Sequence, residues 1–291
     1  MHDVTHRAFS HVADVLYKES LKSIESSYHE INVAEFIHTK TDLPQVIPDE
    51  RLLVYYINLS NHPLVEQPAP AMCADRIDYF LRDIIALKID CLEVGLVNDI
   101  SRRNWVDEFI HSLVCHNGMM MTRDEQKAIE ASILFMCLND LIYTSKESIG
   151  VYHLTSRLFT MAIERKLLSD DDFDQKGDEE IWKVVGSTSM QYEDMQQIWR
   201  VLNSAKTEYM LVESSSRENE SNPPQGWQKI AGNLQLRMRY IDPHILSYSK
   251  QQYHVKQASD VNSRLKNVLI PYRNKGLKYW DVYYKSPSAS S

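Results

Sequence analysis

Residues 74–83 read ADRIDYFLRD, and their spacing predicts a helix with two contrasting faces. Asp75, Tyr79 and Asp83 recur every four residues, so a helix places their side chains on one face. The apolar residues of this stretch fall on the side that would pack inward: Ile77, Phe80, Leu81 and Ile84. A face with two carboxylates and one phenol is either solvated surface or one wall of a site.

Working outward from this helix, the composition favours a mainly α fold. The chain has 291 residues, of which 43% are apolar and only 8 are glycine. Few glycines and many helix formers argue against a β-sandwich or a Gly-rich nucleotide fold. Apolar periodicity predicts helices at about 9–25, 28–39, 49–60, 71–87, 95–115, 123–145, 147–166, 178–185 and 190–204.

After residue 204 the pattern changes. Residues 207–213 and 234–242 alternate in the manner of strands, and the polar, Pro-containing stretch 214–226 is typical of a flexible loop. The sequence therefore predicts a helical domain, a small C-terminal α+β appendage and a disordered tail: 1–204, 205–285 and 286–291.

Charge and composition also exclude several classes of protein. A formal net charge of −8 argues against a broad nucleic-acid surface, which needs excess Lys and Arg. The sequence contains no stretch of about 18 apolar residues, so it predicts no membrane span. Its first residues contain no apolar core of a signal peptide. The four cysteines form no CxxC pair, which is typical of free thiols in a reducing compartment. We therefore expect a cytoplasmic protein.

Histidine is unusually dense near the start of the chain. Of 11 histidines, five fall within the first 40 residues: His2, His6, His11, His29 and His38. Neutral imidazoles together with carboxylates suit Zn, Mn, Fe or Ni. His2 and Asp3 are adjacent, and in a helix they would point about 100° apart, so this pair is a weak signal by itself.

Three motifs in order resemble a known superfamily. HDVTHRAFSH (2–11) resembles the HD motif of the HD-domain metal-dependent phosphohydrolases, and CADRIDYFLRD (73–83) resembles their downstream aspartate helix. YHE (28–30) resembles the His-Glu pair of the deoxynucleoside triphosphate triphosphohydrolase branch, and RMRYIDP (237–243) resembles the C-terminal region of a longer subgroup. The resemblance implies the HD-domain helical fold.

The resemblance also implies a metal site. The family binds its ion through one His, then a HisAsp pair, then a distant Asp, and the last three ligands match His2, Asp3 and Asp75. The implied cofactor is a divalent ion of open identity: Zn, Mn, Fe, Ni or Mg. The family's first metal histidine lies on a helix upstream of the pair. We therefore expect the chain to lack that helix, as a truncated gene model, an alternative start or a degenerate copy.

The remaining matches imply a reaction. Catalytic or phosphate-contacting roles are implied for His6, His11, Asp14, His29 and Glu30. Substrate contacts are implied for Tyr79 and Asp83, and Arg7 is a further candidate phosphate contact. A metal-bound water and nearby imidazoles suit hydrolysis of a phosphate ester or anhydride. The expected substrate is a nucleotide, of the deoxynucleoside triphosphate type.

Two alternatives stay open. The same chemistry serves phosphodiesterases and monoesterases. A catalytically inactive relative would instead bind nucleotide or another protein. Bound metal with phosphate release would support an enzyme, whereas nucleotide binding without turnover would support a binding module. The resemblance also allows a homo-oligomer.

Overall fold

The computed structural model describes residues 5–21, 33–58, 61–214, 223 and 225–285. These residues form two compact units, each built from separated stretches of the chain. Unit 1 comprises the described residues of 1–57, 146–234 and 279–291, and unit 2 those of 58–145 and 235–278. The boundary expected at residue 204 stays a prediction of the sequence; by this division the described residues of 205–234 and 279–285 belong to unit 1, and those of 235–278 to unit 2.

Helices dominate the described residues, as the composition predicts. The thirteen α-helices, in chain order, are α1 (Ser10–Leu21), α2 (Val33–Lys40), α3 (Leu43–Val46), α4 (Glu50–Ile57), α5 (Ala74–Ala86), α6 (Asp99–Ser112), α7 (Glu125–Leu138), α8 (Lys146–Glu164), α9 (Asp172–Gln175), α10 (Asp178–Ser189), α11 (Glu193–Leu202), α12 (Ala258–Val261) and α13 (Ser263–Lys275). A 3-10 turn at Leu92–Val94 and a π-helical segment at Asn139–Tyr143 accompany them.

Two small sheets complete the described part of the chain. Their strands are β1 (Leu113–His116), β2 (Met119–Thr122), β3 (Glu208–Glu213), β4 (Gln228–Gln235), β5 (His244–Ser249), β6 (Gln252–Gln257) and β7 (Tyr279–Lys285). Unit 2 holds a sheet of order β1-β2-β5-β6, in which β2 and β5 are parallel. Unit 1 holds the order β3-β7-β4, so β7 is its central strand.

The core of unit 1 forms around α8. Leu154, Leu158 and Ala162 recur every four residues and are buried, because this spacing gives the helix one apolar face. Buried residues of α1, α10 and α11 join the same cluster. Gly150 lets β3 approach α8 closely, since a Cβ at this position would meet the ring of Tyr209 at 2.2 Å.

The core of unit 2 confirms the predicted inward side of α5. Ile77, Phe80, Leu81 and Ile84 are all buried. The ring of Phe80 packs against that of Phe135 from α7, with centroids 5.1 Å apart. The rings of Trp105 and Phe109 from α6 stack and both contact the ring of Phe80 edge-on. Because this apolar side is buried, the opposite polar face of α5 is held in a fixed direction.

The hairpin β1–β2 was not predicted, and the helix predicted through residue 115 is wrong from residue 113 onward. Asn117 and Gly118 form the turn, with φ of 51° and 72°. Two consecutive residues with positive φ match the type I′ turn that favours Asn-Gly in two-residue hairpins. The Asn-Gly pair was therefore an available signal for this hairpin.

The strand predicted at 234–242 is also largely wrong, whereas the strand predicted at 207–213 is confirmed as β3. Strand β4 ends at Gln235, and the next strand begins only at His244. Between them the buried carboxylate of Asp242 accepts hydrogen bonds from the backbone N–H and hydroxyl of Ser259, at 2.9 Å and 2.6 Å. In the RMRYIDP stretch, side-chain hydrogen bonds of this kind are present where strand pairing was expected. Most of the predicted loop and the whole predicted tail lie outside the described residues.

Two compositional expectations can be compared with the described residues. No single helix among them is long and apolar enough to cross a membrane; Glu125–Tyr143 and Lys146–Glu164 reach that length and composition only when taken together. The four cysteines are free thiols, but Cys115 is exposed rather than packed inside.

Candidate functional site

The predicted site residues fall into three groups. Arg7 and three predicted catalytic residues belong to unit 1, whereas the predicted residues of α5 belong to unit 2. The remaining predicted residues lie outside the described part of the chain: His2, Asp3, His29 and Glu30. The two described groups are considered separately.

In unit 1, Arg7 is buried and held by two carboxylates. Its Nη1 lies 3.0 Å from Oδ1 of Asp170, and its Nη2 donates to Oδ2 of Asp174 at 3.0 Å. Its Nε lies 2.6 Å from Oδ1 of Asp174. A guanidinium bound at several nitrogens by carboxylates is strongly oriented. Arg7 thus anchors the motif segment to the turn that carries α9, and its predicted phosphate contact stays a prediction.

The backbone just after Arg7 is unusual. Phe9 and Ser10 have φ of 62° and 39°, in the left-handed region that bulky residues rarely adopt. The N–H of Phe9 donates to Oδ1 of Asp178 at 2.7 Å, and the Phe9 ring packs 4.8 Å from that of Phe159. Tertiary contacts therefore hold this turn, which sets where α1 begins.

Three predicted catalytic residues come together at the start of α1. The rings of His6 and His11 meet edge-to-face, with centroids 5.4 Å apart. Nδ1 of His11 lies 3.2 Å from Oδ2 of Asp14, which is largely buried. A carboxylate beside Nδ1 orients the imidazole and favours the proton on that nitrogen. The arrangement suits an oriented acid or base on one side of unit 1.

A groove of about 420 Å³ lies beside this segment. Its walls are mainly apolar, and the residues that line it are Phe9, Val12, Val151, Tyr152, Thr155, Asp178, Glu179 and Trp182. Both charged side chains of the lining are acidic, and none is basic. Because phosphate binding needs donors or positive charge, this lining does not suit the phosphate part of a substrate.

In unit 2, the polar face of α5 forms a connected cluster. Asp75, Tyr79 and Asp83 are all half-buried. The hydroxyl of Tyr143 donates to the carboxylate of Asp83, and the rings of Tyr79 and Tyr143 meet edge-to-face with centroids 5.8 Å apart. Tyr143 ends the π-helical segment, a feature that often marks functional sites. The two predicted substrate contacts are thus brought together by a third residue.

Arg239 completes this cluster. Its guanidinium carbon lies 5.5 Å from the centre of the Tyr143 ring. Its backbone N–H donates to Oδ1 of the buried Asn139 at 3.0 Å, and Nδ2 of Asn139 donates to Thr144 at 2.8 Å. Sequence reasoning missed both Arg239 and Tyr143 as site residues. For Arg239 a signal existed, since it lies in the RMRYIDP motif, to which no role was given.

Burial shifts the titration of both phenols. The pKa of Tyr143 is raised well above its ordinary value, first by burial and then by the carboxylate of Asp83. Burial also raises the pKa of Tyr79, although the positive charge of Arg239 and its hydrogen bond to the hydroxyl oppose the rise. Both hydroxyls are therefore protonated at neutral pH and can donate hydrogen bonds.

The described residues do not assemble a metal site. Among them, no group of three or more His, Cys, Asp or Glu side chains could hold an ion. Of the three predicted ligands only Asp75 is described, in the first turn of α5. The set His2, Asp3 and Asp75 therefore stays a prediction.

Comparison with curated proteins finds two distant relatives. A protein named metal-dependent phosphohydrolase cns2, from Cordyceps militaris, is 27% identical over 185 residues, which cover 64% of this chain and 51% of that protein. The uncharacterized protein YdhJ from Bacillus subtilis is 29% identical over 192 residues, covering 64% and 52%. The chain spans about half the length of the curated relatives it matches.

No family model and no solved structure matches the chain. The similarity to the first relative supports a relation to metal-dependent phosphohydrolases at the family level, as the motif resemblance predicts. It does not favour the triphosphohydrolase branch.

Proposed function

We propose that this chain is part of a metal-dependent phosphohydrolase that cleaves phosphate esters or anhydrides. The main support is the similarity, over 64% of the chain, to a protein of that name. The clustered polar face of α5 adds to it, since Tyr143 contacts both Tyr79 and Asp83, the two residues for which the motif resemblance implies substrate contacts. We expect the activity to depend on one divalent metal ion, whose identity the sequence does not give.

Each unit contains side chains that suit such chemistry. In unit 2, the carboxylate of Asp83, which accepts from the hydroxyl of Tyr143, suits the recognition of hydroxyl groups, such as those of a sugar. In unit 1, the imidazole of His11 beside Asp14 suits acid–base chemistry. A nucleotide provides both a sugar and phosphate, so we propose nucleotides as the substrate class. A cytoplasmic location and a homo-oligomeric state stay predictions of the sequence.

The test compares Asp75→Ala with Asp78→Ala. Asp78 lies on the same helix, is exposed and pairs with Arg82, so it serves as a matched control. Metal content is measured on each variant. Turnover is measured as release of phosphate, pyrophosphate or triphosphate from nucleoside and deoxynucleoside mono-, di- and triphosphates, and as release of the alcohol from a simple phosphodiester. We expect Asp75→Ala to lose bound metal and at least about 100-fold of the rate, since even outer partners of metal ligands contribute 10- to 100-fold. Asp78→Ala should keep both.

Each result has a separate meaning. Equal phosphate release by both variants would remove Asp75 from the mechanism. Cleavage of the diester alone, with release of its alcohol, would replace the proposed nucleotide substrate by a phosphodiester. Nucleotide binding by the unaltered chain without metal or turnover would support the inactive binding module instead.

A further inference from the structure

Arg239 differs from the other arginines of unit 2 that are not exposed. The guanidinium of Arg102 pairs with Asp90 and Asp99, and that of Arg76 lies 3.4 Å from Glu66 and donates to backbone carbonyls. Arg239 is also half-buried, yet no described carboxylate lies within 4.0 Å of its guanidinium. Its positive charge is thus left without a close anion in this part of the chain.

The position of this charge is fixed on several sides. The guanidinium carbon lies 5.5 Å from the centre of the Tyr143 ring, and a cation over such a ring is stabilised. The backbone of Arg239 is tied to Asn139, and Asp242, three residues on, is tied to Ser259. Both anchors restrict where the side chain can reach. A guanidinium held in this way is preorganised for a planar or tetrahedral oxyanion.

The charges around Tyr79 also favour an anion. Two guanidinium groups, those of Arg239 and Arg76, and one carboxylate, that of Asp75, act on its hydroxyl. The carboxylate of Asp83 accepts from the phenol of Tyr143. The cluster therefore combines positive charge acting on the Tyr79 hydroxyl with a carboxylate that can accept from hydroxyl groups.

We propose that Arg239 and the hydroxyl of Tyr79 form an oxyanion subsite that binds a phosphate group of the substrate. This assignment rests on the proposed function, because it places the substrate on the polar face of α5. Its ligand class is a phosphorylated compound with a hydroxyl-bearing part, which would lie toward Asp83.

The experiment compares Arg239→Gln with Arg237→Gln. Arg237 is two residues earlier, exposed and in the same irregular stretch, so its replacement makes the same charge change. Two readouts are used: KM and kcat for phosphate release, and calorimetric binding of inorganic phosphate and pyrophosphate at low and moderate salt. For Arg239→Gln we expect KM and the Kd of pyrophosphate to rise about tenfold or more, with a smaller change in kcat. Arg237→Gln should change neither.

A conservative variant separates charge from packing. Arg239→Lys keeps the charge but loses the planar fork, so it should recover only part of the affinity. If Arg239→Gln does not fold, judged by circular dichroism, the lysine variant carries the test alone, and an unchanged KM and Kd in it would overturn the subsite.

The outcomes distinguish the subsite from the proposed function. Phosphate release with unchanged KM in Arg239→Gln would overturn the subsite and leave the phosphohydrolase standing. A second outcome would support the subsite and overturn the phosphohydrolase: the unaltered chain turns over no substrate but binds pyrophosphate, and Arg239→Gln abolishes that binding. An unaltered chain that binds neither phosphate nor pyrophosphate and releases none would overturn both.

Discussion

The motif segment of unit 1 contains Arg7, and the cluster at the polar face of α5 in unit 2 includes Arg239; the two arginines are in opposite electrostatic situations. Arg7 is buried and neutralised by Asp170 and Asp174. Arg239 is half-buried over the Tyr143 ring, with no described carboxylate within 4.0 Å. The sequence singled out Arg7 as a candidate phosphate contact, which stays a prediction. The contrast teaches that a motif can name an arginine, whereas the partners that the fold gives it decide its charge balance.

The largest expected effect is the loss of stability caused by Arg7→Ala, which tests whether Arg7 is an anchor. Removing Arg7 leaves Asp174, largely buried, without its partner, so we expect a loss of about 2–3 kcal/mol in the free energy of unfolding. Urea unfolding followed by circular dichroism measures it. Arg82→Ala is the control, because its pair with Asp78 is exposed and should contribute less than about 1 kcal/mol. Equal losses in both variants would show that Arg7 is not an anchor.

Tyr143→Phe tests the cluster of unit 2, and its expected effect on the free energy of unfolding is smaller than that of Arg7→Ala. The substitution removes the donor to Asp83 while keeping the ring under Arg239, and a hydrogen bond to a charged group contributes about 1.5–3 kcal/mol. We expect KM for the phosphorylated substrate to rise about tenfold and the free energy of unfolding to fall by about 1.5 kcal/mol. Tyr248→Phe, at an exposed position, is the control. An unchanged KM in Tyr143→Phe would indicate that this face of α5 is ordinary surface.

The smallest expected effect concerns pH and the turn that holds Arg7. A hydrogen bond from Lys176 and bonds from Ser169 lower the pKa of Asp172 from 3.8 to about 2. A carboxyl with a lowered pKa in the folded state stabilises the fold above its unfolded pKa, and this stabilisation is lost as pH falls toward 2. The stability difference between the unaltered chain and Asp172→Asn should therefore shrink between pH 5 and pH 2.

Asp171→Asn is the control for this titration, because Asp171 is the exposed neighbour on the same turn. A stability difference between the unaltered chain and Asp172→Asn that stays constant across the same pH range would contradict the assigned role of Asp172.

The periodicity of apolar residues predicted those features of the fold that depend on spacing within one segment. The apolar side of α5 and the strand now seen at Glu208–Glu213 follow directly from periodicity. The sheet of unit 2 could not be found in this way, because β2 lies parallel to β5, more than a hundred residues further along the chain. Long-range pairing of this kind leaves little trace in a single segment.

The candidate site shows the same limit. Arg7 meets Asp170 across 163 residues, and Tyr143 meets Asp83 across 60. Neither Asp170 nor Tyr143 belongs to a motif, so a single sequence gives no reason to connect them with Arg7 and Asp83. The predicted metal set depends on His2 and Asp3, which lie outside the described residues, and it remains a prediction from resemblance.

The central place of β7 in its sheet has a consequence for synthesis of the protein. Strands β3 and β4 both pair with β7, which is made after every other described strand. On the ribosome their edges stay open until Tyr279–Lys285 has emerged, and unpaired edges favour aggregation. The residues of β7 thus decide whether nascent chains mature or aggregate, and premature termination just before Tyr279 would produce insoluble product.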